Sequence, residues 1–500
     1  MAQTKALILA AGVGSRLRPI TESKPKCLVT VAGRPILDYQ IQAYLSAGIK
    51  DITIVAGHKT EMIRQYCNSL EGLNVKIIEN VDYEATNNMY SLYLAESELT
   101  GQEFILSNGD VVFEPDIVSG LLSYPSGDLI AAQRGNYHQE SMKICTNQSG
   151  YVCDISKTMP PEVAYGTSID VYLFSKKSSG VLFEQVQTII EKEKKLCEWT
   201  EIAIQRLLKS QLLQMRPYDI DSKEWIEIDD YDDLLAAEYC FSDYRRSLFE
   251  KKLFFIDLDG TVYIGDNKIP GAEQFLWLLK EKNIPYYFLS NNSSRSKSDY
   301  VKKLQCMGID SNEEKIILST DGLLEYLKSN QIRDVFVVGT RSMEKYIAAA
   351  GIKTSSSQPQ YVVLGYDTEL TYEKLRRASI HLLNGVPLLA THRDIVCPTL
   401  QGPVPDIGSM LALLEKATSK KPLKIFGKPN KEMVQHIIEQ HNAKGSDTVI
   451  IGDRLYTDME LARRVGSGFV LVLSGETKRE DIENSLNWPD LVVKSLEALR

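Results

Sequence analysis

Short apolar runs suited to buried strands alternate along this chain with amphipathic stretches suited to helices, and the alternation runs through twice. Ala6–Ala10, Asp51–Ala56, Lys76–Glu79 and Glu103–Leu106 make the first series. The second opens after Lys252 with Leu253-Phe254-Phe255-Ile256 and continues through Tyr286–Ser290, Val335–Val338, Tyr361–Leu364, Leu388–Ala390 and Thr448–Ile451. The rhythm predicts an α/β fold in which crossover helices join parallel strands and ligands sit at the strands' carboxyl ends. A chain of 500 residues has room for two such units of roughly 100–250 residues. We expect one over 1–245 and another over 251–500, the second carrying an inserted α/β segment over about 332–423. The charged stretch from Asp232 to Glu250 contains neither Pro nor Gly, which predicts a short helical joint. The charge run Glu191–Glu198 reads as a solvated helix face.

Composition narrows the function classes. Net charge is −9, so no overall basic field draws the chain to nucleic acid or an anionic membrane. A protein handling nucleoside triphosphates can still be acidic, because only the pocket must be positive and a metal ion carries part of that charge. The eight cysteines form no C-x-x-C pair and are scattered through apparent core segments, which argues against zinc or a disulfide framework and for a reducing compartment. Met1-Ala-Gln-Thr-Lys-Ala runs straight into a strand without the apolar region of a signal peptide, and no apolar run approaches the ~18–20 residues of a membrane span. The expectation is a soluble, cytoplasmic protein, with oligomerisation left open.

In the first half, Leu9-Ala10-Ala11-Gly12-Val13-Gly14-Ser15-Arg16-Leu17-Arg18-Pro19 follows the first strand. Its glycines would let backbone amides approach a polyphosphate, with a following helix start adding positive dipole. Such a loop alone is weak evidence. Arg16 within it and Lys26 after Pro25 add cations that would offset charge on an α-phosphate and on departing pyrophosphate. Asn108-Gly109-Asp110 ends a strand, and Trp225-Ile226-Glu227-Ile228-Asp229 ends another. Asp110 and Asp229 fit the pair of carboxylates that Mg²⁺ takes beside substrate phosphates; Asp230 and Asp232 read better as helix caps or turn residues.

These motifs, with Asn87-Asn88-Met89-Tyr90-Ser91-Leu92-Tyr93-Leu94, make residues 5–234 resemble the sugar-phosphate nucleotidyltransferases, a Rossmann-like fold, and within them the choline-phosphate cytidylyltransferases and related CTP-using enzymes. The resemblance implies attack of an acceptor phosphate on the α-phosphorus of a triphosphate, CTP in that branch. It places Ala11, Gly12, Gly14, Arg16, Lys26, Asn88 and Ser91 around the nucleotide and Asp110 and Asp229 on Mg²⁺. An amine-bearing acceptor would need aromatic or acidic neighbours; Trp199, Glu201, Tyr165 and Tyr137 are candidates, with ordinary core or surface roles at least as expected.

The sharpest motif is Phe254-Phe255-Ile256-Asp257-Leu258-Asp259-Gly260-Thr261-Val262. Two carboxylates closing an apolar strand are costly without a cation and suit a nucleophile and an acid/base partner at one phosphate. Ser290 and Asn291 close the next strand, Gly427-Lys428-Pro429 supplies a cation, and Asp453 and Asp458 follow another apolar strand. Together they make residues 252–500 resemble the haloacid dehalogenase phosphatases, in the branch of the ribonucleotide and p-nitrophenyl phosphatases: a Rossmannoid core with a large inserted cap carrying Thr391-His392-Arg393-Asp394 and Pro405-Asp406-Ile407-Gly408-Ser409. The branch usually has Asn where His392 stands and Gly where Asp406 stands. The resemblance implies Asp257 as nucleophile and Asp259 as acid/base. It puts Mg²⁺ on Asp257, the Asp259 carbonyl and Asp453, Asp458 beside Lys428 or the metal shell, and Ser290 and Lys428 on phosphoryl oxygens. Asn291 and Asp394 are expected near the substrate. The chain as a whole reads as a bifunctional enzyme acting on small phosphorylated substrates.

Overall fold

The computed structural model describes residues 4–125, 127–135, 137, 141–397, 399, 401–483 and 485–499. The chain divides between Phe241 and Ser242 into two compact units. The stretch there is helical but interrupted: Tyr231–Phe241 ends, and the Ser242 hydroxyl accepts the Tyr244 amide at 3.2 Å to start the short helix Asp243–Ser247. A serine that captures a backbone amide in this way competes with helix continuation.

The first unit is built on a nine-stranded sheet: β1 (Lys5–Ala10), β2 (Asp51–Ala56), β3 (Asn74–Glu79), β4 (Phe104–Asn108), β5 (Asp128–Arg134), β6 (Lys143–Thr146), β7 (Val152–Ser156), β8 (Gly166–Phe174) and β9 (Met215–Asp219). β3, β2, β1 and β4 are parallel, as the sequence rhythm predicts. β8 then joins β4 antiparallel, with β6 and β5 antiparallel against β8, so the sheet is mixed. Alternate residues of β1 serve opposite cores, Leu7 and Leu9 on one face and Ala6 and Ile8 on the other, as the two-residue period of a strand requires. Each fully buried Leu or Ile stabilises by about 1.5–3 kcal/mol. The loops leaving β1 and β4 open into one crevice at the strands' carboxyl ends. Gly109 is needed there, because a Cβ on it would lie 2.9 Å from the Ala10 Cα.

Two local expectations change. The segment after the glycine loop is a three-residue 3-10 turn, Ser15–Leu17, and a four-residue helix, Ile20–Ser23, too short for a useful dipole. The charge run also leaves its helix: Thr188–Lys192 is the last helical turn, Lys194 has φ +58°, and the Leu196 carbonyl accepts the Asn87 amide at 3.1 Å. It is a strap against the start of α1 (Asn88–Leu94).

In the second unit the core strands are β10 (Leu253–Asp257), β11 (Tyr286–Ser290) and β12 (Ile316–Leu318). The cap follows with β13 (Val335–Val338), β14 (Tyr361–Leu364), β15 (Leu388–Ala390) and β16 (Pro422–Ile425), and the core resumes with β17 (Thr448–Gly452), β18 (Gly468–Val472) and β19 (Leu491–Val493). The core sheet runs β12-β11-β10-β17-β18-β19 and the cap sheet β13-β14-β15-β16, both parallel throughout. The core strands are buried on both faces, which is why they read as unbroken apolar runs. No helix among the described residues is long and apolar enough to cross a membrane.

Candidate active sites

The first unit's crevice is a cleft of about 330 Å³ whose lining includes Ala11, Gly12, Arg16, Asn88, Ser91, Asp110, Trp199, Glu201, Glu227 and Asp229. Trp225–Glu227 pairs antiparallel with Val111–Phe113, and the Ile228 amide donates to the Asp110 carbonyl at 3.0 Å. This pairing delivers Asp229 to Asp110 across more than a hundred residues of sequence. Lys26 Nζ lies between them, 2.6 Å from Asp110 Oδ2 and 2.9 Å from Asp229 Oδ1, and Arg16 reaches Asp229 Oδ2 at 2.9 Å. Burial opposes the charge on Lys26, yet the two carboxylates outweigh it and hold its pKa up. Burial likewise opposes the charge on Asp229, and Lys26 and Arg16 outweigh it and keep that carboxyl low. Gly12 has open space where a Cβ would stand, and Gly14 adopts φ +66°. Asn88 accepts the Thr200 amide at 2.9 Å, and Ser91 accepts the Asn80 side chain at 3.2 Å.

A third carboxylate, Glu227, belongs to this cluster: one oxygen from each of Asp110, Glu227 and Asp229 falls within 4.8 Å of the others. Glu227 is exposed to the open cleft, yet desolvation by the cleft walls and then the charges of Asp170 and Asp110 push its carboxyl above the ordinary range. Asp110 Oδ1 is buried without a hydrogen-bond partner among the described residues. Two carboxylate charges ~4 Å apart repel by about 4 kcal/mol at an effective dielectric of ~20, so the set is built for a cation beyond Lys26. Asp230 instead caps the next helix, accepting the Asp232 and Asp233 amides at 2.9 and 3.1 Å.

Asp170, in the middle of buried β8, also lines the cleft. It accepts the Asn108 side chain at 3.0 Å and the Tyr172 hydroxyl at 3.0 Å; that hydroxyl also lies 3.0 Å from buried Glu201. Burial raises both carboxyls, Asp170 to about 8. Trp199 is half exposed at the rim, with Lys157 Nζ 4.9 Å from its ring centre. Tyr137 donates to the Ala164 carbonyl at 3.0 Å, and Arg134 lies 4.9 Å over the Tyr165 ring; neither tyrosine is among the lining residues.

Asp170 supports a stability prediction. A carboxyl raised in the folded state contributes most below its unfolded pKa of about 3.9, and that contribution is lost as pH climbs through about 8. Asp170→Asn removes the titration, and Asn tolerates the φ of +57° at this position. The variant melts several degrees above the parent at pH 8.5 and with it at pH 4 in calorimetry.

In the second unit, Asp257 ends β10 and Asp453 and Asp458 follow β17; one oxygen from each lies within 4.8 Å of the others, all buried. Lys428 Nζ contacts Asp257 Oδ1 and lies 2.6 Å from Asp458 Oδ1. Burial pushes Asp257 well above the ordinary carboxylate range against the pull of Lys428, and pushes Asp453 to about 7. Asp453 Oδ1 and Asp259 Oδ2 are buried without partners among the described residues, as expected of oxygens reserved for a cation or a substrate proton. The Asp259 carboxyl is outside the three-oxygen cluster. Gly260 (φ +95°) turns the chain where a Cβ would meet Asp453 Oδ2 at 2.4 Å. Ser290 is buried beside Tyr300, 3.5 Å between hydroxyls.

Asn291 and Asp394, expected near the substrate, are buried and already bonded. Asn291 accepts the Lys428 amide at 2.7 Å and donates to Asp394 at 3.0 Å, while Asp394 pairs with Arg454 at 2.7 Å. They brace the lysine and the loop rather than face open space. His392 and Asp406, the two departures from the branch pattern, are one buried hydrogen-bonded pair at 3.0 Å. Asp406 also caps the helix Ile407–Thr418. With Asp394 these residues could geometrically surround an ion, but their oxygens already serve Arg454, Asn291 and the Ile407 amide.

Sequence reasoning quoted Glu227 without giving it a role, and it missed Asp170 and Tyr172. The available signal was Ser168 and Asp170 standing inside an otherwise apolar strand.

Comparison with known proteins finds a family match in each unit. A nucleotidyl transferase family model matches residues 5–122, a haloacid dehalogenase-like hydrolase model residues 254–353, and a HAD-hydrolase-like model residues 425–499. The 5'-nucleotidase YutF of Bacillus subtilis is 32% identical over 247 residues, 49% of this chain and 96% of that protein. An acid sugar phosphatase of Staphylococcus saprophyticus is 30% identical over 49% of this chain and 95% of its own length. The solved 4-nitrophenylphosphatase of Thermotoga maritima shares 42% identity, covering 50% of this chain and 97% of that one, with a TM-score of 0.48. The matched motifs and the length of relative covered together assign the chain: it belongs to the haloacid dehalogenase-like hydrolases through its second unit and carries a nucleotidyl transferase domain in its first.

Proposed function

We propose that residues 1–245 transfer CMP from CTP to a phospho-alcohol, such as choline phosphate, glycerol phosphate or a phosphonate, and that residues 251–500, with a cap over about 332–423, hydrolyse a related phosphomonoester. The setting is cytoplasmic, in decoration of a cell-surface polysaccharide or lipid. The observation that carries this reading is a three-carboxylate cluster in each unit, lining an open cleft in the first and buried in the second, each with a lysine ammonium between two of its members.

Mg²⁺ fits both oxygen sets: Asp110, Asp229 and Glu227 would hold it in the first and Asp257, Asp453 and the Asp259 carbonyl in the second, where it would neutralise phosphoryl charge. In the first unit the acceptor's phosphate oxygen attacks the α-phosphorus as its bond to pyrophosphate breaks. Arg16 and Lys26 face the charge that builds up, Gly12 leaves room for the phosphates, and Asn88 and Ser91 line the pocket. In the second, the Asp257 carboxylate attacks phosphorus, and Asp259 gives its proton to the leaving alkoxide. Asp259 then takes a proton from the water that opens the aspartyl-phosphate. Ser290 and Lys428 hold phosphoryl oxygens. Asn291, Asp394 and Asp458 keep Lys428 and its loop in place.

A cationic acceptor is favoured by the cleft's lining, which includes Trp199, whose ring already holds the Lys157 ammonium 4.9 Å from its centre, and the carboxyl groups of Glu201 and Asp170. Trp199→Ala raises KM for choline phosphate by about 5–30-fold, the loss of one cation–π contact of ~1–2 kcal/mol, and leaves KM for CTP within twofold. Pyrophosphate release, measured with each of four nucleoside triphosphates against a panel of phospho-alcohols and sugar 1-phosphates, tests the whole reading. Turnover with UTP or dTTP and a sugar 1-phosphate alone would replace it by a sugar nucleotidyltransferase.

A further inference from the structure

Cys145 on β6 and Cys153 on β7 face each other across an antiparallel pair at the sheet's edge, with their sulfurs 3.0 Å apart. The register shifts between Val152 and Asp154, so Cys153 is the extra residue of a bulge. Both side chains are half-buried, which leaves them open to a small reagent. Cross-strand neighbours at this separation need to close by only about 1 Å to bond. The sequence gives no hint of such a pair, because the two cysteines lie eight positions apart and their meeting depends on the hairpin.

We propose that Cys145 and Cys153 form a reversible dithiol/disulfide site that takes a low-molecular-weight disulfide as its oxidant and tunes the neighbouring nucleotidyl transfer cleft. The Cys153 thiolate attacks one sulfur of the oxidant, and the first small thiolate leaves. Cys145 then loses its proton to solvent and attacks the Cys153 sulfur, and the second small thiolate leaves. Two protein thiols and one small disulfide thus become one protein disulfide and two small thiols. Cys145 is assigned the second attack because Cys153 is the unpaired residue of the bulge, and burial and its contact with Cys153 raise the Cys145 thiol in the same sense.

The link to the cleft is α2 (Thr200–Lys209), which packs on β7. Gln205 donates to Asp154 Oδ1 and to the Ile155 carbonyl, each at 2.8 Å, immediately after Cys153. The same helix begins with Thr200, bonded to Asn88, and Glu201 of the cleft wall. Drawing Cys153 toward Cys145 tightens the bulge that sets where Asp154 and Ile155 present those acceptors. This second half of the inference rests on the nucleotidyl transfer reading above.

The full chain, equilibrated in a glutathione series, alkylated and digested, yields a Cys145–Cys153 cross-linked peptide two hydrogens lighter than the pair of thiols, and dithiothreitol reverses it. Cys145→Ser traps glutathione on Cys153, whereas Cys153→Ser leaves Cys145 open to alkylation. The cross-linked chain transfers nucleotide at least about threefold more slowly while hydrolysing phosphate esters at the parent rate, and a calorimetric transition of the first unit kept at or above the reduced chain's shows that this unit remains folded. If exposed Cys197 and Cys306 carry glutathione while Cys145 and Cys153 are still alkylated, the site is refuted. Equal transfer before and after cross-linking refutes the coupling. Absence of transfer in the fully reduced chain would instead sink the nucleotidyl transfer reading and leave the thiol result standing.

Discussion

Asp257→Asn lowers phosphate-ester hydrolysis by on the order of 10⁴-fold or more and leaves nucleotidyl transfer unchanged. The carboxylate ends β10, fully enclosed, with Lys428 against one oxygen and the Thr261 hydroxyl 3.3 Å from the other. An amide of the same shape keeps the packing but cannot form the acyl phosphate, so the loss falls on kcat. Stability moves the other way. Burial raises the Asp257 carboxyl, so neutralising it relieves repulsion from Asp453 and Asp458, although Lys428 loses one partner. A variant that is inactive as a phosphatase, melts within a few degrees of the parent and retains full pyrophosphate release is the expected outcome. Loss of both activities in a folded protein would contradict separate sites.

The second site was the more legible of the two because its chemistry sits at the ends of core strands. Asp257, Ser290 and Asp453 each follow an uninterrupted apolar run, so the run announces the strand and its end announces the site. The same logic located Asp110 after β4. It failed where a functional side chain interrupts a strand instead of ending it. Asp170 stands at φ +57° inside β8, where the pairing with β5 slips between Ser168 and Tyr172; Ser168 and Asp170 mark the place in the sequence, but two polar residues in an apolar run read equally well as a strand break. It failed again where a partner comes from far along the chain. Asp394 reads as a free acid near a motif until Arg454 and Asn291 are seen to take its oxygens. His392 and Asp406 read as two separate departures until the fold joins them. The parallel half of the first sheet followed from the βα rhythm, whereas the antiparallel strands β5 to β8 did not, because their hairpin pairing is a long-range choice that periodicity does not encode.

Asp110→Asn cuts nucleotidyl transfer by about 10³-fold, in the range seen when a charged element of transition-state stabilisation is removed, with phosphatase activity intact. Three consequences separate this from simple damage. The amide cannot hold the charge that Asp110 shares with Asp229 around Lys26, so, on the proposed Mg²⁺ reading, the concentration of that ion needed for half-maximal transfer rises along with the fall in kcat. Lys26 then leans on Asp229 alone, while its burial, which opposes its charge, remains; its pKa falls, and transfer loses activity at high pH earlier than in the parent. Asp230→Asn, one residue beyond Asp229, is the matched control. That side chain accepts helix amides at 2.9 and 3.1 Å and lies outside the three-oxygen cluster. Because Asn caps about as well as Asp, the control changes stability by less than ~1 kcal/mol and transfer by less than about threefold. If Asp230→Asn cost as much activity as Asp110→Asn, the loss would follow from the acidity of the whole rim, and the specific pairing of Asp110 with Asp229 would not be what drives the reaction.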